Sequence, residues 1–510
     1  MKIRFAHILF IYAAFATFAD AQENASSQFS LDSIVYNADY ELRNEANRIY
    51  RNPAMRHDVY GQKQTNISLG YQQRQDDEAV QMQEGDGEKL GFVEIQSVTN
   101  RNNSAYWGKA KFVAGRRENI LYNETSDFDL LAPYVMADSV GGDLKTQTYI
   151  FGGGLVHRVG ESDFLFGIDA DYRAVLEYRQ RDPRPRNNVS TLHLALGIAY
   201  EIAEKSTIAL HADGRRYKQT NNVKFFSEMG QPIVYHLTGL GTDYSRFRGN
   251  ASDTYYNGYN GGGGLALRHS RLSISADYHL WTFEKIVSSL NELPMTQTKE
   301  HIASAQVGYK PQTKDSYSFH TQTIILTANI NKKNGEENIF GDAANNNYPQ
   351  IGSLEQYEQQ KRSVDLTYVA ARTFSHSQLT LRADIGAAHE EESYKVPSSC
   401  LDYSTLEFAL QADELISIGK NYLFLSLGAE QNNAFSDEIT LSARSIITEP
   451  TLVYFDAVSN NSTHYKFDAR LHLPTSIKNN MAFFVAVNSA FNHYKNCDSY
   501  QLKLSLGVSF

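Results

Sequence analysis

The sequence is poor in the residues and patterns that many chemistries and all membrane helices require. It has 2 cysteines, 2 tryptophans and 11 prolines among 510 residues. No apolar run of about 18 residues follows the N-terminal region, so no transmembrane helix is predicted. The formal net charge is -10, which argues against nucleic acid as a partner. No CxxC, HExxH, phosphate-binding glycine loop or calcium loop occurs, so we expect neither a cofactor nor a metal.

The N-terminus has the three parts of a secretory signal peptide. Lys2 and Arg4 form a positive region, residues 8–18 form an apolar run, and residues 19–21 (A-D-A) form a cleavage site. We therefore predict that residues 1–21 are removed when the chain enters the periplasm. The residue directly after the cleavage site is Gln22 and not a cysteine, so we do not expect a lipoprotein.

The rest of the chain is rich in alternating segments. From Phe164 to Arg179, apolar side chains alternate with positions that are mostly charged, and the side chains of a strand point alternately to its two faces. This stretch is longer than the usual upper limit of about 10 residues for strands of soluble proteins. A polar lumen and a lipid-facing exterior explain it better. Similar alternation occurs within residues 192–202, 272–280, 379–385, 423–429 and 465–487.

Short connections alternate with long ones along the chain. Residues 159–163 form a tight turn, whereas residues 118–143, 332–356 and 432–463 are long and polar. Short turns on one side and long loops on the other are typical of outer-membrane barrels. The sequence thus predicts an all-β fold, a transmembrane antiparallel up-and-down β-barrel over residues 63–510, with about 18 strands in a range of about 14–18. Such a barrel leaves an aqueous lumen unless something fills it.

The two ends of the mature chain carry resemblances to known families. Residues 500–510 alternate strictly and end at Phe510, which resembles the closing strand of bacterial outer-membrane barrels. In that family this strand is the signal that the assembly machinery reads. The tripeptide Asn52-Pro53-Ala54 resembles one in the N-terminal hatch of fatty-acid and hydrocarbon outer-membrane channels. That resemblance implies that residues 22–62 are a periplasmic or plug-like segment; a helix end broken by proline is the other interpretation.

As a whole, the chain resembles an uncharacterised outer-membrane barrel family of Bacteroidota. The signal peptide, the Asn-Pro-Ala segment, the tyrosine- and asparagine-rich loops and the terminal phenylalanine carry this resemblance. It implies a location in the outer membrane of a Gram-negative bacterium. It implies no chemistry, because a fold alone does not define an activity.

The candidate functional residues are polar side chains at alternating positions of three predicted strands, where they would line the lumen. They are Asp169, Asp171, Arg173, Glu177, Arg179, His211, Asp213, Arg215, Asp277 and His279. Charges that line a pore set the field that a solute meets. A catalytic use of the histidines and aspartates is the alternative, but no hydrolase motif accompanies them.

Two further features leave alternatives open. Gly261, Gly262, Gly263 and Gly264 lie inside a predicted strand, where glycine marks a bulge or a close approach of another group. They predict either a kink in the barrel wall, or a groove for the N-terminal segment, or space for neighbouring aromatic residues. The two cysteines, at positions 400 and 497, lie in predicted outer segments, where a disulfide and two free thiols are both possible.

Three classes of function fit these patterns. The first is a channel or transporter for a small solute, gated by the N-terminal segment. The second is a barrel anchor or accessory subunit, whose loops bind a surface lipoprotein or a neighbouring co-transporter. The third is an outer-membrane hydrolase, but we predict that the protein is not an enzyme. The predicted partners common to all three are outer-membrane lipids and the barrel assembly machinery.

Overall fold

The computed structural model describes residues 48–57, 59, 63–101, 103–228, 230–249, 253–311, 321–344, 347–445, 447–475 and 481–510. The predicted signal peptide and most of the predicted N-terminal segment lie outside these residues. Within the described residues no helix is both long enough and apolar enough to cross a membrane.

Among the described residues, 18 antiparallel strands form one closed sheet. They are β1 (Gln64–Asp76), β2 (Gly87–Arg101), β3 (Ser104–Ile120), β5 (Gly142–Arg158), β6 (Phe164–Arg179), β7 (Arg184–Ala203), β8 (Ser206–Lys224), β11 (Thr254–His269), β12 (Leu272–Val287), β13 (Leu293–Tyr309), β14 (Thr321–Phe340), β15 (Gln350–Thr373), β16 (Ser377–Tyr394), β17 (Ser399–Ile418), β18 (Asn421–Thr440), β19 (Ser462–Pro474), β20 (Ala482–His493) and β21 (Asp498–Ser509). Three short strands outside the barrel, β4 (Met136–Asp138), β9 (Val234–Gly239) and β10 (Thr242–Asp243), form a second sheet.

The barrel closes where its first strand pairs with its last. β1 and β21 are antiparallel partners, and each of Thr65 and Phe510 donates its backbone N–H to the carbonyl of the other, at 2.6 and 2.9 Å. Each other barrel strand pairs with the barrel strands that precede and follow it in the chain. The predicted fold class is confirmed, including about 18 strands and an N-terminal segment before the barrel.

The two rims of the barrel differ. The lower rim carries the start of β1, the end of β21 and turns as short as residues 204–205 and 419–420. The upper rim carries long loops, of which residues 121–141, 225–253 and 441–461 are the longest. The two α-helices of the described residues belong to these loops: α1 (Phe128–Leu131) is a single turn, and α2 (Glu449–Val458) has 10 residues.

Two predicted upper loops are shorter in the structure. β14 continues to Phe340 and β18 to Thr440, although the sequence predicted loops from residues 332 and 432. Where a barrel strand extends beyond a membrane, both of its faces meet water, so the apolar alternation that marks it in the sequence is lost. The missing alternation there was wrongly interpreted as loop.

The outer face of the barrel is apolar and the inner face is polar or small. Along β7, Leu192, Leu194 and Leu196 are 52%, 45% and 53% exposed, whereas the intervening His193 and Ala195 are covered. This is the alternation expected of strands with one face on lipid and the other on a lumen.

The cysteines are both free thiols. Cys400 is the second residue of β17, and Cys497 directly precedes β21. The Sγ of Cys497 donates a hydrogen bond to the backbone oxygen of Glu78 at 2.7 Å. Of the two alternatives, the structure therefore shows two free thiols and no disulfide between Cys400 and Cys497.

Candidate functional site in the barrel lumen

Residues 48–57 and 59, hereafter the plug, lie inside the barrel. Two short 3-10 helices, Arg48–Arg51 and Pro53–Arg56, form most of the plug. The Oδ1 of Asn52 accepts a hydrogen bond from the backbone N–H of Ala54 at 2.9 Å, which satisfies a free donor at the start of the second helix. Proline suits the first helical position because it has no N–H to leave unpaired. The motif builds a compact, capped turn.

Two glycines of the wall leave the space in which this turn sits. Gly167 of β6 and Gly197 of β7 are direct partners in the ladder. A Cβ at Gly167 would overlap the backbone of Ala54, and a Cβ at Gly197 would overlap the side chain of Asn52. Glycine inside a strand is typical where another backbone approaches closely. This pair therefore forms a seat for the plug.

Apolar packing holds the plug against the lower part of the wall. Ile49, Met55 and Val59 of the plug are buried in one cluster with inward-facing wall residues. The wall residues of this cluster are Ala105, Val156, Leu165, Ala199, Ala209 and Ala266. In a water-filled lumen these positions would favour polar side chains, so this part of the wall suits an apolar segment.

Arg56 links the plug to a wall carboxylate. Its Nη1 lies 2.9 Å from Oδ2 of Asp169, and the same oxygen accepts a hydrogen bond from Nε1 of Trp107 at 2.5 Å. The guanidinium lies 5.0 Å from the centre of the Trp107 ring, within the range of a cation–π interaction. Its Nε also donates to the backbone oxygen of Tyr50 at 2.7 Å.

Directly above the plug, the wall carries a polar belt, which we define as Lys109, Asp169, Asp171, His193, His211, Asp213, Asp277 and His279. The contacts within it are Lys109–Asp171 at 2.8 Å, His193–Asp171, His193–Asp213 and His279–Asp213 at 3.5 Å each, and His211–Asp277 at 3.4 Å. Each carboxylate thus has a cationic or imidazole neighbour. Arg215 lies on the same face of β8, two residues above Asp213, and is exposed.

One part of the belt has a grouping suited to a metal ion. Single ligand atoms of Asp169, Asp171 and His193 lie within 4.8 Å of one another. Carboxylate and imidazole are ordinary ligands of divalent transition metals. However, Arg56 and Lys109 already neutralise the two carboxylates, so the grouping is satisfied without a metal.

The four consecutive glycines of β11 make room for the belt. An added Cβ would overlap His279 at Gly262 and Asp277 at Gly264. All four, including Gly261 and Gly263, pair without a register shift with both β8 and β12, so no β-bulge interrupts β11 at these glycines. The plug packs against a different glycine pair, Gly167 and Gly197. The space beside Gly262 and Gly264 is filled by the imidazole of His279 and the carboxylate of Asp277, and not by an aromatic side chain.

A second segment, residues 121–141 between β3 and β5, enters the lumen from the upper rim and is hereafter the upper insert. Its Asp138 lies 2.5 Å from Nη2 of Arg179, and its Glu124 lies 3.6 Å from the same atom. All three side chains are at most 1% exposed. Burial, and then the neighbouring Asp138, raise the pKa of Glu124 well above its usual value. These two carboxyls share one guanidinium in a dry environment.

The wall binds the upper insert at several more points. Arg173 makes two hydrogen bonds to Asp127, at 2.8 and 3.0 Å. The Nζ of Lys285 donates to the backbone oxygen of Val135 at 3.2 Å. The insert also packs on inward-facing aromatic residues of β8, β11 and β12, which are Tyr217, Tyr256, Trp281 and Phe283. The lumen is therefore filled at two levels along β5 to β12, with the polar belt between them.

The opposite wall is less covered. A cavity of about 480 Å³ lies against β13 to β19, with Arg48 of the plug at one side. Its charged and imidazole lining is Arg48, Asp365, Arg382, Asp384, Glu407, Glu430, His464 and Lys466. A second cavity, of about 400 Å³, lies between the upper loops and the upper parts of β13 to β17. Its charged lining is Asp129, Glu300, Lys333, Lys361, Glu390 and Glu392.

All ten predicted lumen residues lie on the inner face, but they divide into two groups. Asp169, Asp171, His211, Asp213, Asp277 and His279 belong to the polar belt beside Arg215. In the other group, Arg173 and Arg179 bind the upper insert, and Glu177 lies 3.6 Å from Arg117 of β3. Sequence reasoning missed the insert itself. Its apolar run, residues 130–136, lies inside a long loop, where it is a signal of burial.

Comparisons with known proteins gave a family and a set of similar structures. The model of a family of unknown function, DUF6850, matches residues 53–510. The ferric preacinetobactin receptor BauA of Acinetobacter baumannii is 9% identical, with 88% of this chain and 80% of that chain covered and a TM-score of 0.40. OccK1 of Pseudomonas aeruginosa is 11% identical, with 88% and 98% covered and a TM-score of 0.31. The copper transporter OprC is 7% identical, with 88% and 81% covered and a TM-score of 0.41. No curated protein matches.

Proposed function

The chain belongs to the family of unknown function DUF6850, and we propose that it is an outer-membrane channel or transporter for small polar solutes, gated by its plug. The apolar outer face would contact outer-membrane lipids. The lower rim would face the periplasm, since it carries the chain ends and the short turns. Phe510 would then serve as the signal for the barrel assembly machinery.

The observation that carries this proposal is the seat of the plug. Gly167 and Gly197 leave a space that fits the capped turn of the plug, and a small apolar patch surrounds it. A wall shaped in this way has a dedicated occupant. Among the described residues, the plug is joined to the barrel only at its C-terminal end, through the residues before Gln64, so it can leave its seat without unpairing a barrel strand.

The cavities on the opposite wall support transport over a purely structural barrel. Both cavities have polar linings. The lower one borders the plug at Arg48, and the upper one borders the upper loops. Charged linings cost free energy to dehydrate, and they are useful where a hydrated solute passes.

The test is single-channel conductance in a planar bilayer, for the purified protein and for a form that lacks residues 22–62. We expect little or no steady conductance from the intact protein and clear conductance from the shortened one. Heat-modifiable migration on a denaturing gel would show that both barrels are folded. Silence from both folded proteins would contradict the proposal.

A second function, the anchor or accessory subunit, is favoured by the packing of the upper loops on one another. The backbone N–H of Leu237 donates to Val135 at 2.9 Å, and that of Ile447 donates to Gly241 at 3.1 Å. Three upper loops thus pack into one structure, hereafter the roof, over the upper end of the barrel. A surface that binds a lipoprotein or another transporter would need such an ordered structure. Silence in the conductance test would favour this function.

A hydrolase has less support. The polar belt brings histidines close to aspartates, but a nucleophile must also lie within reach of the base. Among the described residues, no serine or cysteine makes a hydrogen bond to His193, His211 or His279. The proposal therefore includes no catalytic step.

A further inference from the structure

The two cavities lie at successive levels of the same five strands, β13 to β17. On β14 the lower cavity is lined by Thr327 and the upper one by Lys333; on β16 the corresponding residues are Asp384 and Glu390. These positions are six residues apart on one strand, or about 20 Å at about 3.3 Å per residue. Both cavities therefore lie along one wall of the barrel, between the upper loops and the plug.

The lining of this wall has more negative than positive charge. In the lower cavity Arg382 pairs with Asp384 at 2.8 Å. In the upper cavity Lys361 pairs with Glu390 at 2.9 Å, and Lys333 lies 3.7 Å from Glu300. The remaining lining charges are Asp365, Glu407, Glu430, Asp129 and Glu392 against Arg48 and Lys466. The lower cavity thus has four carboxylates against three cationic side chains, and the upper cavity has four against two. This excess of carboxylates favours cations over anions.

The plug supplies a cation to this wall. The backbone N–H of Arg48 donates to Oε1 of Gln306 at 2.8 Å, which fixes the plug at the edge of the lower cavity. Arg48 lines this cavity together with Asp365, Glu407 and Glu430. A guanidinium is a planar donor that carboxylates bind well. The plug thus contributes a positive charge to a cavity whose wall carries more carboxylates than cations.

We propose that the lower cavity binds small organic cations of the amine or guanidinium class, and that Arg48 is a tethered occupant which such a solute displaces. This inference rests on the proposed function, since the cavity is the part of the transport route beside the plug. To that function it adds the chemical class of the solute, an organic cation.

The first test is calorimetric titration of the full-length, detergent-purified protein with agmatine, which carries one amine and one guanidinium. Glu407→Gln is expected to weaken binding about tenfold, the effect of losing one charge-assisted contact. Glu430→Gln is a second variant with the same expected direction. Arg48→Ala is expected to strengthen binding, because the competing guanidinium is gone.

The matched control is Glu94→Gln, which removes one carboxylate from the inner face of β2. Glu94 lies 3.9 Å from Lys111, away from the two cavities, so agmatine binding should stay unchanged. Succinate is the anionic control and should not bind. Equal agmatine affinity in wild type, Glu407→Gln and Glu430→Gln would overturn the inference. So would absence of agmatine binding in both wild type and Arg48→Ala.

A second measurement separates this inference from the proposed function. In a salt gradient, the reversal potential of the conducting form should show a preference for cations that Glu407→Gln reduces. Conductance without this preference would overturn the cation inference and leave the channel in place. Agmatine binding without conductance in any form would overturn the channel and leave the binding site.

Discussion

The plug and the upper insert fill the same lumen, but they are held there in different ways. The upper insert is joined to the wall at both ends, by β3 and β5, and its charges are buried with Arg179. Within the described part of the chain, the plug is joined to the wall only at its C-terminal end, and it is held by a glycine seat, apolar packing and the ion pair of Arg56. In that pair the Arg56 side chain is still 21% exposed.

This difference indicates which segment can move. Withdrawing the upper insert would separate Arg179 from two carboxyls, expose the aromatic cluster on which the insert packs, and move a segment that is tied to the wall at both ends. Withdrawing the plug would expose apolar surface, at about 1.5–3 kcal/mol for each large side chain, but water could hydrate Arg56 and Asp169. We therefore regard the upper insert as part of the fold and the plug as the removable segment.

The largest effect is expected from breaking the charge cluster of the upper insert. Arg179→Ala would leave Glu124 and Asp138 buried without their guanidinium, and should lower the free energy of unfolding by about 3–5 kcal/mol. Denaturant unfolding of the purified barrel, followed by circular dichroism, would measure it. Arg184→Ala is the control, since Arg184 pairs with Asp182 at 2.5 Å at the upper rim and is 38% exposed; it should cost at most about 1 kcal/mol. If Arg179→Ala and Arg184→Ala lowered the free energy of unfolding by similar amounts, the buried charge cluster would not be what holds the upper insert.

The second effect is expected at the plug seat. Gly197→Ala places a methyl group against Asn52 and should disfavour docking of the plug by about 1–3 kcal/mol, the usual cost of overpacking. The barrel itself should unfold as in wild type. Faster trypsin cleavage at Arg51 and Arg56 would report undocking.

Gly428→Ala is the matched control for this substitution. Gly428 lies on the inner face of β18, and an added Cβ would come no closer than 3.6 Å to its nearest neighbour, Lys466. Its trypsin cleavage should equal that of wild type. If Gly197→Ala instead lowered the stability of the whole barrel, the plug would be part of the core and the comparison with the upper insert would fail.

Alternation in the sequence was sufficient to predict much of the wall. The segment Phe164–Arg179 is a strand with the predicted bounds, because one face meets charge and the other meets an apolar environment along its whole length. The same alternation places Asp171 and Asp213 on the inner face. It does not reveal that His193 lies between them, because that contact depends on the register of three neighbouring strands.

The upper insert could not be predicted in the same way. Glu124 and Asp138 have no periodic pattern around them, and their partner Arg179 belongs to another strand. Residues 130–136 are apolar within a loop, which indicates burial but not the surface that buries them. The glycine seat was also missed, since Gly167 and Gly197 each look like an ordinary small residue in an alternating strand.

The free energy of unfolding should depend on pH because of Glu124 in the upper insert. The pKa of Glu124 is raised well above its usual value of about 4.5 by burial and by Asp138. Above about pH 4.5 the unfolded chain releases this proton before the folded protein does, so stability should fall as pH rises, by up to about 1.4 kcal/mol per pH unit. Denaturant unfolding between pH 5 and 8 would measure the slope. Glu124→Gln should flatten it; an unchanged slope in that variant would exclude Glu124 as its source.

The smallest effect is expected from the ion pair of the plug. Arg56→Gln removes the 2.9 Å contact with Asp169 and the cation–π contact with Trp107 but leaves the glycine seat and the apolar cluster. Docking should weaken by about 1–2 kcal/mol, because water can hydrate Asp169 once the plug has left. Hydrogen exchange of residues 48–57 would report it as faster exchange without a change in the barrel strands. Arg51→Gln makes the same charge change at an exposed plug residue and should have a smaller effect. If Arg56→Gln released the plug completely, the ion pair would dominate docking, and the plug would resemble the upper insert in being held mainly by charge.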